Sequence, residues 1–321
     1  MNILITGGTG FVGSHMVDYI LKYAIRPDQK VYCTKRWMED TKNLDHIDHD
    51  SFEYIDCDLL DGMSVKRAVE ISKPEKVFHF AAQSFPEVSF KTPVVTLQTN
   101  IIGTTHLLES IKESEYDPTI VSVSSSEVYG NPNEDEVPIT EENPIRPANP
   151  YSISKVGHDL MSQYYHKAYG MKIITTRMFS HEGARRGKQF ALSSFAYQIA
   201  KNEKLKGDGV VKHGNLDSVR TYNHIEDAIQ AYWLCSNSDK YGEVYNIGGD
   251  YTCTVGEALD MLISKSTTKV EKKLDPERVR PTDITLQIPS SDKFRNEFAW
   301  RPQKSLTHIC DDLLDYWRKV L

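Results

Sequence analysis

A tyrosine and a lysine four residues apart, Tyr151 and Lys155, lie 26 residues after Ser125 in the segment Val123-Ser124-Ser125-Ser126-Glu127. On a helix the two share one face, so the Lys155 ammonium can sit beside the Tyr151 phenol and lower its pKa. Tyr151 then becomes a base usable near neutral pH. Ser125, at the end of a strand, would hold the oxygen that loses its proton, and Lys155 would also reach a nicotinamide ribose. The set suits removal of a hydride and a proton from a secondary alcohol.

Such chemistry needs a bound dinucleotide, and the first residues of the chain read as its cradle. The apolar run 2–6 is of strand length; Gly7-Gly8-Thr9-Gly10-Phe11-Val12-Gly13 follows at once, and then a helical pattern to about residue 21. Strand, glycine turn and helix are the context in which this spacing signifies dinucleotide binding. Gly7 permits the tight turn, Gly10 lets backbone approach a pyrophosphate, and Gly13 lets the helix pack on the strand.

Further strand-like runs recur at 30–34, 52–55, 76–80, 119–123 and 172–176, with helical patterns between them such as 97–112 and 152–169. This alternation predicts an α/β fold, a doubly wound parallel sheet covered on both faces. Beyond residue 176 the elements shorten: a helix at 190–202, a strand at 220–222 leading into a helix at 225–235, a strand at 243–247, and helices at 254–263 and 306–320. In the last helix Ile309, Leu313, Tyr316 and Trp317 form an apolar stripe expected to face a core. The predicted organisation is a dinucleotide-binding domain over 1–176, to which segments near 219–236 return, and a smaller, interleaved substrate-binding domain over 177–321. No Pro/Gly/Ser-rich linker or internal repeat separates the two.

A length of 321 residues allows a large core, and the net charge of −7 argues against nonspecific nucleic-acid binding. An anionic ligand would have to meet a local basic pocket. No basic leader or apolar run of membrane length is present, so the chain is expected to be soluble and cytoplasmic. The five cysteines show neither metal spacing nor a disulfide framework and are expected to be reduced and mostly buried. No metal site is expected.

Taken together, Thr6-Gly7-x-x-Gly10-x-x-Gly13, Asp58-Leu59, Phe80-Ala81-Ala82-Gln83-Ser84, the Ser125 segment and Tyr151-x-x-x-Lys155 resemble the extended short-chain dehydrogenase/reductases that act on nucleotide sugars. The finer pattern resembles GDP-mannose 4,6-dehydratases and the neighbouring GDP-4-keto-6-deoxymannose reductases, through Ser180-His181-Glu182-Gly183-Ala184-Arg185-Arg186-Gly187, Val219-Arg220-Thr221 and Arg280-Pro281-Thr282-Asp283. The resemblance implies that Gly7, Gly10, Phe11, Gly13, Asp58, Leu59, Ala81 and Gln83 line the cofactor together with Tyr151 and Lys155, and that His181 and Arg186 belong to a loop, with Arg185, reaching the cofactor of a neighbouring subunit. A homodimer or homotetramer follows from that. At the end of the second strand, Thr34-Lys35-Arg36 stands where a carboxylate would accept from a ribose 2′-hydroxyl; with Arg36 able to pair with a 2′-phosphate, NADP is expected rather than NAD.

On the substrate side the resemblance implies Ser84, Ser126 and Ser180 near the sugar, Arg220 and Arg280 on the diphosphate, and Asp283 toward the nucleoside. Glu127 decides the reaction class. A 4,6-dehydratase must remove the C5 proton of a 4-keto sugar and protonate the departing C6 hydroxyl, and a positioned carboxylic acid serves both steps. With Ser125, Glu127, Tyr151 and Lys155 as catalytic residues, the expected reaction is 4,6-dehydration of GDP-mannose or a related GDP-hexose or heptose. Alternatives are the 4-keto reductase, a 4-epimerase, and a non-catalytic NADP-binding scaffold. There are three departures from the dehydratase pattern, Ser180 for asparagine, Gly183-Ala184 for Ser-Pro and Ser125 for threonine; serine supplies the same hydroxyl at 125, whereas the change at Ser180 bears on substrate contacts and leaves the sugar open.

Overall fold

A computed structural model describes residues 2–279 and 282–321. In chain order the elements begin β1 (Asn2–Thr6), α1 (Phe11–Tyr19), β2 (Val31–Lys35), β3 (Phe52–Asp56), α2 (Gly62–Ser72), β4 (Pro74–His79), α3 (Pro86–Lys91), α4 (Pro93–Leu97), α5 (Gly103–Lys112), β5 (Thr119–Val123), α6 (Pro150–Tyr169) and β6 (Ile173–Met178). They continue with β7 (His181–Glu182), α7 (Ala191–Leu205), β8 (Gly209–His213), β9 (Val219–His224), α8 (Ile225–Ser236), β10 (Val244–Ile247), β11 (Tyr251–Thr254), α9 (Val255–Ser264), β12 (Val270–Leu274), β13 (Leu286–Gln287), α10 (Asp292–Phe298) and α11 (Leu306–Val320).

Seven strands form one sheet in the order β10-β6-β5-β4-β1-β2-β3. The five pairings from β6 to β3 are all parallel. Both flanks of such a sheet are covered, which is why β1, β2 and β6 are buried almost continuously along their length rather than at alternate residues. The order reverses between β1 and β4, where an open α/β sheet leaves a crevice beyond its strand ends for a ligand.

The chain divides into two compact units. The first comprises 1–128, 149–177 and 229–245, the second 129–148, 178–228 and 246–321. Two segments depart from the 1–176 and 177–321 division. Residues 129–148 belong with the second unit, because Ile139 bridges to Pro289, Tyr129 donates to Asn246 Oδ1 at 2.8 Å, and Gln287 donates to the Gly130 carbonyl at 3.1 Å. The returning segment is 229–245 instead of 219–236, because α8 stacks Trp233 on Phe78 with centroids 6.2 Å apart. The core of the first unit gathers Leu4, Val65, Val69, Val77, Leu107, Ile120 and Ile173. That of the second packs α7, α9 and α11 through Phe195, Ile199, Leu259, Ile309 and Leu313, with Trp317 against it. In the second unit β11-β9-β13 form a small sheet that β7 joins, and β8 and β12 pair in parallel.

Local chemistry explains the element ends that matter for the site. Asn149 caps α6, its Oδ1 accepting from the Ser152 N–H at 2.8 Å while Ser152 Oγ accepts from the Asn149 N–H at 2.9 Å; Pro150 opens the helix and Gly170, at φ 69°, ends it. The helix predicted at 97–112 is interrupted by a π-helical turn at Gln98–Ile102, which turns Asn100 inward. Among the described residues no helix is long and apolar enough to cross a membrane.

Candidate active site

The glycine segment read from the sequence forms a tight turn between β1 and α1. Gly7 has φ +67°, and a Cβ there would lie 2.8 Å from Ala81 Cα, so the glycine turn can approach β4 only without a side chain. Gly13 is as tightly placed, 2.4 Å from the Gly7 carbonyl oxygen by the same measure. Helix α1 starts at Gly10 with no side-chain cap, so its first N–H groups keep no intrahelical partner. A pyrophosphate fits that end. Asn43 donates to the Thr9 carbonyl at 2.9 Å, and Thr6 Oγ1 accepts from the Ala81 N–H at 3.2 Å, pinning the turn from two sides.

Of the other cofactor-side residues, Asp58 caps the Leu60 N–H at 2.9 Å, and Leu59 is buried against Gly103. Gln83 turns its side chain into its own loop, donating to the Phe85 carbonyl at 3.1 Å and to Thr96 Oγ1 at 3.0 Å. Phe11 packs its ring edge-on to His15 at 5.6 Å. At the end of β2 a carboxylate does occur, contrary to the sequence reading: Glu39, three residues past Arg36, accepts from the Arg36 N–H at 2.8 Å and faces its Nε at 3.4 Å. Lys35 is committed to Asp56 at 2.6 Å.

The catalytic candidates gather at the end of β5. Lys155, 3% exposed, donates from Nζ to the Val123 carbonyl at 2.5 Å, which anchors α6 beside Ser124 and Ser125. Tyr151 lies one turn earlier on the same helix. Burial pushes the Lys155 ammonium down to about 7, opposed by the nearby Asp159 carboxylate. Asp159 is itself held by Arg177 through bonds of 2.9 and 3.2 Å in full burial. Ser125 Oγ accepts from the Glu127 N–H at 3.2 Å, and Glu127 Oε2 accepts from Asn149 Nδ2 at 3.0 Å. Asn149 thereby both caps α6 and holds the Glu127 carboxylate. Ser126 is buried in the short turn between Ser125 and Glu127, and Ser84 is half-buried after Gln83.

A polar network under this corner escaped the sequence reading. Asn100 exchanges bonds with the Gln83 backbone at 2.8 and 3.0 Å and donates to Ser154 Oγ at 2.8 Å, and Ser154 donates to the Tyr151 carbonyl at 2.6 Å. Beside it His79 and His158 stack with rings 5.3 Å apart and 5° from parallel. Thr104 Oγ1 donates to the Asn100 carbonyl at 2.7 Å, so it accepts from His79 Nε2 and His158 Nδ1, both at 2.9 Å. Thr6 then donates to His79 Nδ1 at 2.8 Å. Burial, then the Lys155 charge, lowers His79 to about 3 and puts His158 well below its usual value. The only sequence signal was a run of polar residues on otherwise apolar faces.

In the second unit Arg220 and Asp283 come together, Nη2 4.0 Å from the carboxylate, with Arg220 also donating to the Val219 carbonyl at 2.9 Å. Asp283 accepts from Ser218 at 2.9 Å and Asn215 at 3.0 Å, so it braces its own loop. Arg280 lies outside the described residues. Ser180 accepts the Asn223 N–H on its carbonyl at 2.8 Å. The Arg186 guanidinium stacks 3.4 Å over Phe190 and its Nε lies 3.6 Å from Glu182. Burial raises Glu182 to about 7 against that arginine, and burial with the same arginine lowers His181 to about 3.

A parallel sheet with a glycine turn at its switch point and a Ser125, Tyr151, Lys155 corner defines an extended short-chain dehydrogenase/reductase of the nucleotide-sugar group. The family model of GDP-mannose 4,6 dehydratase matches residues 4–313, and the chain belongs to that family. It is 26% identical to a GDP-6-deoxy-D-mannose reductase of Pseudomonas aeruginosa, over 98% of this chain and 96% of that one. It is 28% identical to the human dTDP-D-glucose 4,6-dehydratase, over 99% and 90%. A solved UDP-glucose 4-epimerase of Thermotoga maritima, with UDP-glucose, superposes with TM-score 0.88 at 26% identity, covering 100% and 99%. The chain is thus an NDP-sugar-modifying enzyme of a family whose members differ in nucleotide, cofactor and reaction.

Proposed function

We propose that this protein is a 4,6-dehydratase of an NDP-hexose, GDP-mannose or a related GDP-sugar. The observation that carries the reading is Glu127, a carboxylate bonded to Asn149 at 3.0 Å and tied through its backbone to Ser125. A plain reductase has no use for a second acid–base group at that point.

The glycine turn, Ala81, Tyr151 and Lys155 would hold a nicotinamide dinucleotide, NADP by the Arg36 argument, which supplies a reversible hydride acceptor. Tyr151 takes the C4 hydroxyl proton, Ser125 orients that oxygen, and Lys155 favours the phenolate through its charge. The substrate has then lost a hydride and a proton and is a 4-keto sugar. Glu127 removes the C5 proton, now acidified by the ketone, and delivers it to the C6 hydroxyl, which leaves as water. With the hydride returned to C6, Glu127 passing a solvent proton to C5 and Tyr151 releasing to solvent the proton it took, the net change is loss of one water. By the resemblance, Arg220 would pair with the diphosphate.

The test is incubation with GDP-mannose and other NDP-hexoses without added reductant. A product lighter by one water, with solvent deuterium at C5 and no net change in reduced nicotinamide, supports the dehydratase. Likeness to the Pseudomonas reductase favours a second reading. Stoichiometric NADPH oxidation by a 4-keto sugar, with GDP-mannose inert, would establish it.

A further inference from the structure

We infer that Glu39 is a second determinant of cofactor choice, opposing a 2′-phosphate and accepting from a 2′-hydroxyl, so that the selection of NADP by Arg36 is held in check. This rests on the reading of the first unit as a dinucleotide site.

A cavity of about 650 Å³ lies beyond the ends of β2 and β3, and its lining includes Arg36, Glu39, Asp56, Asp58, Asp61 and Arg67. Four carboxylates and two guanidiniums are a poor balance for a doubly charged phosphate. Three of the carboxylates have local duties: Asp56 pairs with Lys35 at 2.6 Å, Asp58 caps Leu60, and Asp61 caps Met63 at 3.1 Å. Glu39 instead holds Arg36, the guanidinium that a 2′-phosphate would need, through the 3.4 Å contact to Nε.

The turn fixes this arrangement. The Glu39 N–H donates to the Arg36 carbonyl at 3.1 Å, Glu39 Oε2 accepts from the Arg36 N–H at 2.8 Å, and Met38 between them has φ 61°. The carboxylate is therefore returned to the end of β2 from three residues downstream, where it also stands close to Cys33, whose thiol burial pushes up to about 12 with Glu39 adding to the effect. Cys33 lies directly beneath Gly8 of the glycine turn. An acceptor at the end of the second strand is what a ribose 2′-hydroxyl requires, and a negative charge there is what a 2′-phosphate meets as repulsion. Arg36 is two-thirds exposed, so its pairing with Glu39 is weak enough to exchange partners when a ligand arrives.

Calorimetric titration of the whole protein with NADP+ and with NAD+ tests this, using Glu39→Gln, Glu39→Ala and Arg36→Ala. Glu39→Gln keeps an oxygen acceptor and removes the charge, so NADP+ binding should tighten about tenfold while NAD+ changes less than threefold. Glu39→Ala should likewise tighten NADP+ but weaken NAD+ several-fold. An unchanged NADP+/NAD+ ratio in both Glu39 variants, with Arg36→Ala still weakening NADP+, overturns the inference and leaves the dinucleotide site standing. Failure of the unmodified protein to bind either dinucleotide overturns both.

Discussion

Replacing His158 with asparagine should flatten the acid limb of stability of the first unit. An unfolded imidazole takes up a proton below pH 6.5, whereas His79 is held neutral down to about 3 and His158 also sits well below 6.5. The unfolded chain therefore binds more protons in that window, and the stability these groups allow is present above 6.5 and lost as pH falls below it. An imidazole held neutral down to about 3, as His79 is, contributes a slope of up to about 1.4 kcal/mol per pH unit and has removed roughly 2 kcal/mol at pH 5, and His158 acts in the same direction. The groups around the pair are the Thr6, Thr104 and Ser122 hydroxyls and the Lys155 ammonium, whose charge adds to the penalty for a second cation. Asparagine can still donate to Thr104 but cannot titrate. Its own cost at pH 8, from the cavity and the lost bond between the ring and the Ser122 hydroxyl, which keeps Ser162 as a partner at 2.7 Å, is about 2–4 kcal/mol. The assay is native-state hydrogen exchange of β5 and α6 amides at pH 5.0, 5.5, 6.0 and 6.5, which reads the free energy of opening in the unit that contains the pair. Unmodified protein should lose stability more steeply than the variant, by at most about 1.4 kcal/mol per pH unit. Equal slopes would refute the argument, since they would show that His158 takes no part in the acid transition.

Three further outcomes are expected. Glu127→Gln should slow water loss from GDP-mannose by roughly 10²–10⁴-fold while leaving C4 oxidation intact, seen as bound reduced nicotinamide accumulating in stopped flow; water loss at the parent rate would reduce Glu127 to a structural residue. Gly7→Ala, forced to φ +67° against Ala81, should destabilise by roughly 1–3 kcal/mol and abolish dinucleotide binding by calorimetry. Arg177→Met, which strands the buried Asp159, should cost about 3–5 kcal/mol in denaturant unfolding, with Arg177→Met/Asp159→Leu recovering part of it; a single variant as stable as the parent would mean the pair carries little.

The parts of the fold visible in the sequence were those whose signals are local. The glycine turn, the alternation of strands and helices through 176, and the helix over 306–320 each follow from short-range pattern, and all appear in the structure. What failed was non-local or side-chain-borne. Residues 129–148 carry no composition shift that would separate them from the first unit; partners more than a hundred residues away, such as Asn246 and Gln287, decide their place. Glu39 stands outside the position where an acidic residue is sought, and only the turn returns it to the strand end. Asn149 looks like a helix cap and is one, but its second bond, to Glu127, depends on the end of β5 lying opposite the start of α6. His79, Asn100 and His158 sit on faces whose periodicity predicts apolar core, and only the paired geometry shows why polar groups are tolerated there.

The interleaving of the units has a consequence on the ribosome. The chain passes between them after residues 128, 148, 177, 228 and 245, and β10, the outer strand beside β6, comes from the last return. At roughly 5–20 residues per second, the 65 residues between Met178 and Val244 take on the order of 3–13 s to synthesise. Throughout that interval the nascent sheet presents the strand β6 with an unsatisfied edge, a template for association with other chains. Expression of this protein should therefore be limited by holdase capacity during translation. Fragments ending near residue 176, which look like a complete nucleotide-binding domain, would carry that open edge permanently and should collect in the insoluble fraction.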